Sequence, residues 1–331
     1  MTRSAAVRAE TASLPRRHRP LIVRRLRRAL RQIRDTLLAV AVVVLFCVFR
    51  LLPLRAAVAV AGAVVGGAAP YVRKPWRLAI VHLELAFPAL ARDRRLAIAR
   101  AAFANVGRSF AEIAKLATLR RELERYVTFE GLEHMRAALA QGHGVLAITG
   151  HVGNWELLAA SCATIGLPVD VIGRRPHNAL LSRILIAMRA RSGVTTIERD
   201  RPQAGRAILR TLRANRILAL LIDQDTRGPR VFVPFFGRPA ATPSGVATLA
   251  LRTQAPVIAV FIHRRTEGGH VIRFQPAFPP ADAGRDDVET LTSAYTAAIE
   301  AEIRACPEEW VWWHRRWRRQ PVVSPATSPI S

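Results

Sequence analysis

Residues 148–159 read I-T-G-H-V-G-N-W-E-L-L-A and place His151 and Glu156 five positions apart. Five steps along a continuous helix leave two side chains about 140° apart, so such a pair could not share one face. If the chain bends between them, a fixed carboxylate can accept one imidazole N–H, and the other ring nitrogen stays free to take up a proton. The two residues would then form a general base and its partner.

The residues around this pair predict the bend. V-L-A-I-T has the composition of a strand, and Gly150 and Gly153 allow a sharp turn after it. Asn154 is a good N-cap for a helix W-E-L-L-A-A-S-C-A, whose first turn would hold Glu156 where the helix dipole favours a carboxylate. We expect His151 in the loop, folded back over that turn. A second interpretation stays open, in which Glu156 only starts a helix and His151 is an ordinary loop residue.

The elements that would position this loop alternate between strands and helices from about residue 128 onward. Apolar strand-like runs occur at G-V-L-A-I-T, P-V-D-V-I-G, R-I-L-A-L-L-I-D, A-P-V-I-A-V-F-I and H-V-I-R-F, with helix-like stretches near 131–140, 154–165, 178–191, 202–214, 243–254 and 287–305. Strands that are apolar on both faces indicate burial between helices. The pattern predicts an α/β fold with a mostly parallel sheet flanked by helices, preceded by a helical segment over 75–125.

The composition points to an acidic partner. The 331 residues include 50 Lys and Arg against 24 Asp and Glu, for a formal net charge of +26, while 50% of the residues are hydrophobic. This much apolar material excludes a charged disordered chain, and the charge favours nucleic acid, anionic lipid or an acidic carrier protein as partner. The three cysteines lie far apart and in no metal-binding spacing, which is typical of a cytosolic, reduced setting.

The N-terminus predicts membrane association. A dense basic stretch at 15–34 precedes the apolar run T-L-L-A-V-A-V-V-V-L-F-C-V-F, and a second run fills 56–72. The basic flank belongs on the cytoplasmic side, so a cytoplasmic catalytic domain would require the two runs to form a hairpin or to lie in one leaflet. A buried core hairpin with a basic tail is the alternative. The predicted division is a basic cytoplasmic tail, a membrane-associated segment, a catalytic domain and a flexible tail, at 1–35, 36–72, 73–320 and 321–331.

Two further motifs suggest other classes of function. Asp223-x-Asp225 ends a predicted strand and could hold a divalent metal and a nucleotide sugar, as in a glycosyltransferase, although no other metal-ligand cluster supports it. W-V-W-W-H-R-R-W at 310–317 interleaves Trp with Arg, which suits a membrane interface, a phosphorylated headgroup or single-stranded nucleic acid. A nucleic-acid module would leave the apolar N-terminus and the His151 motif without a role, so we expect no nucleic acid partner.

Five segments in the same order resemble one known family. G-H-V-G-N-W-E is similar to the H-x4-D/E motif of the glycerolipid acyltransferase superfamily, and specifically of its lauroyl and myristoyl transferases of lipid A biosynthesis. H-L-E-L-A-F-P at 82–88 resembles that family's N-L-E-L-x-F-P, and R-R-P-H-N-A-L-L at 174–181 resembles its Y-R-P-x-x-N-P-L. The segments at 223–242 and 307–317 are also similar to it.

The resemblance implies transfer of an acyl chain from a thioester on acyl carrier protein or coenzyme A to a hydroxyl of a lipid A precursor. The reaction would take place at the cytoplasmic face of the inner membrane. His151 would be the general base and Glu156 its partner, and neither a cofactor nor a metal is expected. Relatives that acylate phosphatidylinositol mannosides make another anionic glycolipid the alternative acceptor. The expected substrate-binding residues are Asn154, Arg175, Asn178, Arg189, Asp223 and Arg315.

Within this hypothesis, an arginine would donate to the developing oxyanion. Arg175 follows a predicted strand, while Arg189 and Arg191 lie two positions apart on a predicted helix and must diverge, so we favour Arg189. A solvated helix face is the alternative for it. Cys162, in the apolar context A-S-C-A, could be a nucleophile but is better explained as core. F-V-P-F-F-G at 232–237 could line an acyl channel or simply pack the core.

Overall fold

The computed structural model describes residues 21–174, 178–225, 228–282 and 287–321. The helices are Leu21–Leu51 (α1), Leu54–Ala68 (α2), Arg73–Ala86 (α3), Arg92–Ala114 (α4), Leu116–Arg121 (α5), Leu123–Tyr126 (α6), Leu132–Ala140 (α7), Trp155–Thr164 (α8), Ala179–Arg191 (α9), Ala204–Arg213 (α10), Gly245–Thr253 (α11) and Val288–Ala305 (α12). The helical prediction for 75–125 and the six predicted helices after it are confirmed.

The strands are Val127–Glu130 (β1), Val145–Thr149 (β2), Val169–Gly173 (β3), Thr195–Glu198 (β4), Ile217–Leu221 (β5), Arg230–Phe235 (β6), Arg238–Pro243 (β7), Val257–Arg264 (β8) and His270–Phe274 (β9). Seven of them form one sheet in the order β1-β9-β8-β2-β5-β3-β4, and β6 and β7 form a separate antiparallel pair. Within the large sheet, β8 and β9 pair antiparallel and the other neighbours pair parallel. The predicted α/β fold with a mostly parallel sheet is confirmed.

The central strand β2 has helices over both of its faces, and all five of its residues are buried. Val145 and Ala147 pack in a cluster with side chains of α7 and α8, whereas Leu146 and Ile148 pack with side chains of α10, α11 and α12. A strand covered on both sides reads as a continuous apolar run, which is why β2, β5 and β8 are recognisable in the sequence. β1 and β4 are four-residue strands at the sheet edges and carry no such run.

The N-terminal apolar segment forms α1 and α2, joined at Pro53. The stretches Gln32–Leu51 and Leu54–Tyr71 are each long and apolar enough to cross a membrane by length and composition. α1 begins at Leu21, so the predicted boundary between a basic tail and an apolar segment at 35/36 falls inside one continuous helix. The predicted flexible tail lies almost entirely outside the described residues.

Candidate active site

The site forms where two neighbouring parallel strands end. β2 and β5 pair with Thr149 opposite Leu221, and His151 and Asp223 each follow two residues later. Because parallel strands place their carboxyl ends at one edge of the sheet, the two side chains meet although 72 residues separate them. His151 Nδ1 lies 2.8 Å from Asp223 Oδ1. This contact fixes the imidazole with Nδ1–H toward the carboxylate and leaves the lone pair on Nε2.

Asp223 is nearly fully buried, and each of its oxygens accepts a hydrogen bond. Oδ2 accepts from the backbone N–H of His151 at 2.7 Å and from Trp310 Nε1 at 2.8 Å, while Oδ1 accepts from the His151 ring. Burial alone would raise the pKa of Asp223, but its contacts with His151 and the nearby His314 outweigh burial and hold that pKa well below its usual range. A carboxylate that stays ionised can stabilise an imidazolium on His151.

The loop after β2 bends at Gly153, as predicted. Gly153 has φ of +60°, and a Cβ there would lie 2.0 Å from the carbonyl oxygen of Ile262, so only glycine fits. Its N–H donates to the Glu309 carbonyl at 3.0 Å. Asn154 then caps α8 by accepting from the Leu157 N–H at 3.1 Å. His151 therefore precedes the helix, and Glu156 stands in its first turn.

The expected hydrogen bond between Glu156 and His151 does not form. Glu156 instead accepts two hydrogen bonds from Arg189, at 2.8 Å from Nε and 2.5 Å from Nη2, and His151 Nδ1 is taken by Asp223. A planar guanidinium matches both carboxylate oxygens, whereas an imidazole supplies one donor, so the arginine is the better partner. The imidazole is left to the more distant carboxylate, Asp223.

Gln224 and His314 surround the reactive face of His151, and neither was assigned a role from the sequence. Gln224 Nε2 lies 3.0 Å from His151 Nε2 and 3.1 Å from His314 Nε2. The His151 and His314 rings are edge to face at 4.9 Å, and Trp155 packs against His151 at the same distance. Burial, followed by the neighbouring His151, lowers the pKa of His314 to about 4, so this second imidazole is neutral at pH 7. Both residues lie inside segments that resemble the acyltransferase family, D-Q-D-T-R-G and W-V-W-W-H-R-R-W, and this position is the sequence feature that could have identified them.

The remaining predicted substrate-binding residues do not converge. Asn154 is buried, and its amide N–H groups point to Glu112 at 2.9 Å and to the Ser109 carbonyl, so its polar atoms are taken by the protein. Asn178 caps α9 by accepting from two backbone N–H groups and donates to the Asp35 carbonyl of α1. Arg315 is exposed to solvent. Arg175 lies outside the described residues.

Arg189 and Arg191 diverge on α9 as expected. Arg191 is exposed, whereas Arg189 is held inward by Glu156. Arg189 also reaches the end of β3, because a Cβ built on Gly173 would lie 3.1 Å from its Nη1. The Glu156–Arg189 pair therefore stands at the same edge of the sheet as the His151–Asp223 pair.

An apolar cavity of about 50 Å³ lies between α8 and the sheet, directly behind the loop that carries His151. Its lining includes Thr149 and Trp155, the residues on either side of the bend, together with Leu158, Met135 and Phe274. Cys162 also lines the cavity; burial raises the pKa of its thiol to about 12. A thiol that stays protonated is a poor nucleophile, which supports the core interpretation of this cysteine.

The tryptophan-rich segment is core rather than a binding surface. Trp310 and Trp312 are fully buried, and Val152 forms a bridge with Trp310 that ties this segment to the catalytic loop. The hypothesis that the rings face a membrane, a headgroup or nucleic acid is therefore wrong for Trp310 and Trp312, because burial leaves them no free face. Phe235 and Phe236 pack against the same tryptophans and do not line the cavity, which confirms the plainer interpretation of F-V-P-F-F-G.

Both carboxylates of the Asp-x-Asp motif are bonded to protein groups within the described residues. Asp223 is engaged by His151 and Trp310, and Asp225 bonds to Arg319. Across the part of the chain that the structure describes, no three His, Cys, Asp or Glu side chains group in a way that could hold a metal ion. The carboxylates of this motif instead link the chain after β5 to the His151 loop and to the segment that contains Arg319.

A histidine bonded to a buried carboxylate, at the edge of a mostly parallel sheet and beside an apolar cavity, is an arrangement that can activate a hydroxyl group for acyl transfer. Comparison with known proteins agrees: the profile described as "Bacterial lipid A biosynthesis acyltransferase" matches residues 26–319. The chain belongs to this family, and it is an acyltransferase.

Several characterised relatives are similar over most of their length. The lipid A biosynthesis lauroyltransferase of Escherichia coli strain K12 is 30% identical over 258 residues, which cover 76% of this chain and 82% of that protein. The palmitoleoyltransferase of lipid A biosynthesis from the same strain is 27% identical, over 77% of this chain and 82% of its own length. A phosphatidylinositol mannoside acyltransferase of Mycobacterium tuberculosis strain CDC 1551 / Oshkosh is 28% identical, over 66% and 69%.

Proposed function

We propose that this protein transfers a fatty acyl chain from an acyl-thioester to a hydroxyl of a lipid A precursor, with His151 as the general base. The observation that carries the proposal is the contact between His151 Nδ1 and the buried Asp223, because it leaves Nε2 as the nitrogen of the His151 ring that can take up a proton. The membership of the chain in the lipid A biosynthesis acyltransferase family supports the reaction class.

The reaction balances without an acyl-enzyme. His151 Nε2 takes the proton of the acceptor hydroxyl as its oxygen attacks the thioester carbonyl, and the negative charge of the tetrahedral intermediate moves to the carbonyl oxygen. The C–S bond then breaks, and the imidazolium returns the proton to the leaving thiolate. Asp223 stabilises the imidazolium between the two steps. The acceptor hydroxyl displaces the Gln224 amide, which lies 2.9 Å from Nδ1 and 3.0 Å from Nε2 of the His151 ring.

Glu156 acts through Arg189 in this proposal. The two-point contact with Glu156 holds the guanidinium at the sheet edge, where it donates to the developing oxyanion. Donors fixed in advance lower the energy of the transition state more than mobile ones do. Glu156 therefore remains essential to the proposed mechanism, as the residue that positions the oxyanion donor.

The acyl chain of the donor enters the cavity behind Trp155. The cavity lining is almost wholly apolar, as an acyl chain requires, and from its volume of about 50 Å³ the cavity must widen as the chain enters. Because Thr149 and Trp155 flank His151 in the chain, a thioester at the cavity mouth stands beside the base. The net charge of +26 suits an acidic donor carrier, either acyl carrier protein or coenzyme A, and an anionic acceptor. Arg315 is an exposed cation available to that acceptor.

Two acceptors agree with the similarities. The relatives from Escherichia coli favour a lipid A precursor, and the mycobacterial relative favours a phosphatidylinositol mannoside. We place the protein on the inner membrane with its catalytic domain facing the cytoplasm, where acyl-thioesters are made. The basic segment at 15–34 would lie on that side.

The test is an assay of the purified protein with acyl-carrier-protein and coenzyme A thioesters, against each acceptor in turn, read by mass spectrometry. We expect one additional acyl group on one acceptor, and loss of that product in folded His151→Ala. A His151→Ala protein with full turnover would refute the mechanism. Loss of activity in a chelator would instead favour metal-dependent chemistry.

A further inference from the structure

Helix α2 is fastened to the catalytic domain along most of its length. Ala57, Ala61, Gly62 and Gly66 form its buried face, which packs on α4. The backbones approach so closely that a Cβ on Gly107 of α4 would lie 2.5 Å from the Ala61 carbonyl oxygen. Small residues on both helices therefore fix the two axes side by side.

Helix α4 in turn holds the catalytic loop. Its Glu112 is fully buried and accepts from Asn154, the cap of α8, at 2.9 Å. Arg264 and His270 donate to the same carboxylate, which keeps the pKa of Glu112 well below its usual range against the opposing effect of burial. α2, α4 and the loop that carries His151 thus form one packed unit.

This packing prevents α2 from crossing a bilayer on its own. To span, α2 would have to carry α4 into the hydrocarbon with it, and α4 begins R-D-R-R and has further arginines at 100 and 108. Charged side chains at that depth are costly. Although Leu54–Tyr71 meets the length and hydropathy of a span, its contacts therefore argue against that orientation.

The outward face of α2 is apolar and its borders are basic. Its exposed residues recur at helical spacing and continue into the turn after the helix; they are Ala59, Val60, Ala63, Val64, Gly67, Ala68, Tyr71 and Val72. Exposed Arg55 precedes this stripe, and exposed Arg73, Lys74 and Arg77 follow it. Residues 36–83 contain no Asp or Glu. An apolar stripe with cationic borders complements an anionic lipid surface.

We infer that α2 lies in the plane of the membrane, with this stripe in one leaflet of the bilayer. Arg55, Arg73, Lys74 and Arg77 contact lipid phosphates at the two ends of the stripe. The inference rests on the proposed function only in taking a membrane as the place of the acceptor. Because α4 joins α2 to the loop of His151, the depth of α2 sets the height of the base above the lipid.

Depth measurements along α2 test this orientation directly. Single cysteines at Val60, Val64 and Gly67, in a full-length protein whose Cys47 and Cys306 are replaced by serine, are labelled with an environment-sensitive fluorophore. The protein is bound to vesicles of phosphatidylethanolamine and phosphatidylglycerol, and depth is read from quenching by spin-labelled lipids. An in-plane helix gives one shallow depth for all three positions, roughly 5–10 Å into the leaflet. A depth that changes steadily along the helix, or no quenching at all, overturns the inference.

A second test measures acyl transfer by the double variant Val60→Asp and Val64→Asp. Both side chains are about half exposed, at 47% and 61%, so the charges leave the α2–α4 contact intact. We expect transfer to an acceptor in vesicles to fall by about tenfold or more, and transfer to detergent-dispersed acceptor to stay unchanged. Leu209→Asp is the matched control, an exposed apolar residue on α10 that should have no effect.

The two proposals fail in different ways. Equal losses in vesicles and detergent, or equal losses in the control, would overturn the membrane orientation. A wild-type protein that transfers no acyl group in either medium would overturn the proposed function, while the depth measurement would still decide the orientation of α2.

Discussion

Two of the histidines that bond to carboxylates, His151 and His263, differ in what each contact leaves free. His151 has one carboxylate, Asp223, and its side chain is 21% exposed. His263 has two, with Nδ1 at 3.1 Å from Glu309 and Nε2 at 2.9 Å from Glu302, and its side chain is 5% exposed. The first ring retains a nitrogen for a substrate, whereas the second has none. A carboxylate near an imidazole therefore indicates catalysis only when the other nitrogen remains accessible.

The electrostatics of His263 follow from this double contact. Burial alone would lower its pKa, but hydrogen bonds with Cys306, Glu302 and Glu309 outweigh burial and raise that pKa to about 11. His263 is thus a permanent cation between two acids at neutral pH. Glu309 also accepts a hydrogen bond from the Arg264 backbone N–H. The two contacts hold the segment that leads into Trp310 against β8.

Removing the carboxylate behind the first histidine should have the largest effect on turnover. In Asp223→Asn, the amide no longer favours Nδ1–H or stabilises the imidazolium, and kcat should fall by about a thousandfold or more with little change in KM. Steady-state kinetics checks this. Glu302→Gln is the matched control, because it removes a carboxylate from His263 and should leave kcat unchanged; a similar loss in both would remove the distinction between the two histidines.

Arg189→Ala should have the next largest effect. The variant removes the proposed oxyanion donor and should lower kcat by about a hundredfold. Arg191→Ala, two residues later and exposed, is the control and should keep full activity. If both variants have normal kcat, the oxyanion donor lies elsewhere, and the Glu156–Arg189 pair is structural like the contacts of His263.

His263→Gln should change stability and not turnover. Breaking this buried ionic contact should lower the free energy of unfolding by about 3 kcal/mol at neutral pH. Since the folded pKa of His263 is raised, its stabilisation is complete below its ordinary value of 6.5 and is lost as pH rises toward about 11. Urea unfolding across that range should show stability falling with pH in the wild type and falling less in His263→Gln. An equal slope in both proteins would contradict the assignment.

Cys162→Ala should have the smallest effect. The thiol is buried, protonated and on the cavity wall, so turnover with the preferred acyl chain should be essentially unchanged. A kinetic assay over a series of chain lengths checks this, and complete inactivation would revive the cysteine as a nucleophile.

The sequence predicts what is local in this fold. The bend at Gly153, the cap at Asn154 and the two-sided strands all follow from short-range preferences that neighbouring residues decide, and the structure confirms them. The sequence could not assign the partner of His151, because that partner depends on β2 and β5 being neighbours in the sheet. Two acids, Glu156 and Asp223, were available, and spacing favoured the nearer one. Sheet order placed the distant acid against the ring.

The tryptophan-rich segment shows a second limit. Alternating Trp and Arg has the composition of an exposed surface, yet Arg316 is fully buried, donates to the Ala241 carbonyl and Thr242, and lies over the Phe235 ring at 4.6 Å. Whether such a run faces solvent or core depends on whether the rest of the fold supplies hydrogen-bond acceptors and aromatic rings for its arginines. Those groups come from the β6–β7 hairpin, which the sequence pattern did not reveal.

The hydrogen bond from Trp310 to Asp223 can form only late in the synthesis of the chain. During synthesis, His151 leaves the ribosome long before Asp223, and Trp310 and His314 follow only near the end of the 331-residue chain. At about 5–20 residues per second, the 72 residues from His151 to Asp223 take roughly 4–14 seconds to be made, and the 87 from Asp223 to Trp310 take roughly 4–17 seconds more. The network of His151, Asp223 and Trp310 is therefore complete only after most of this chain has been made.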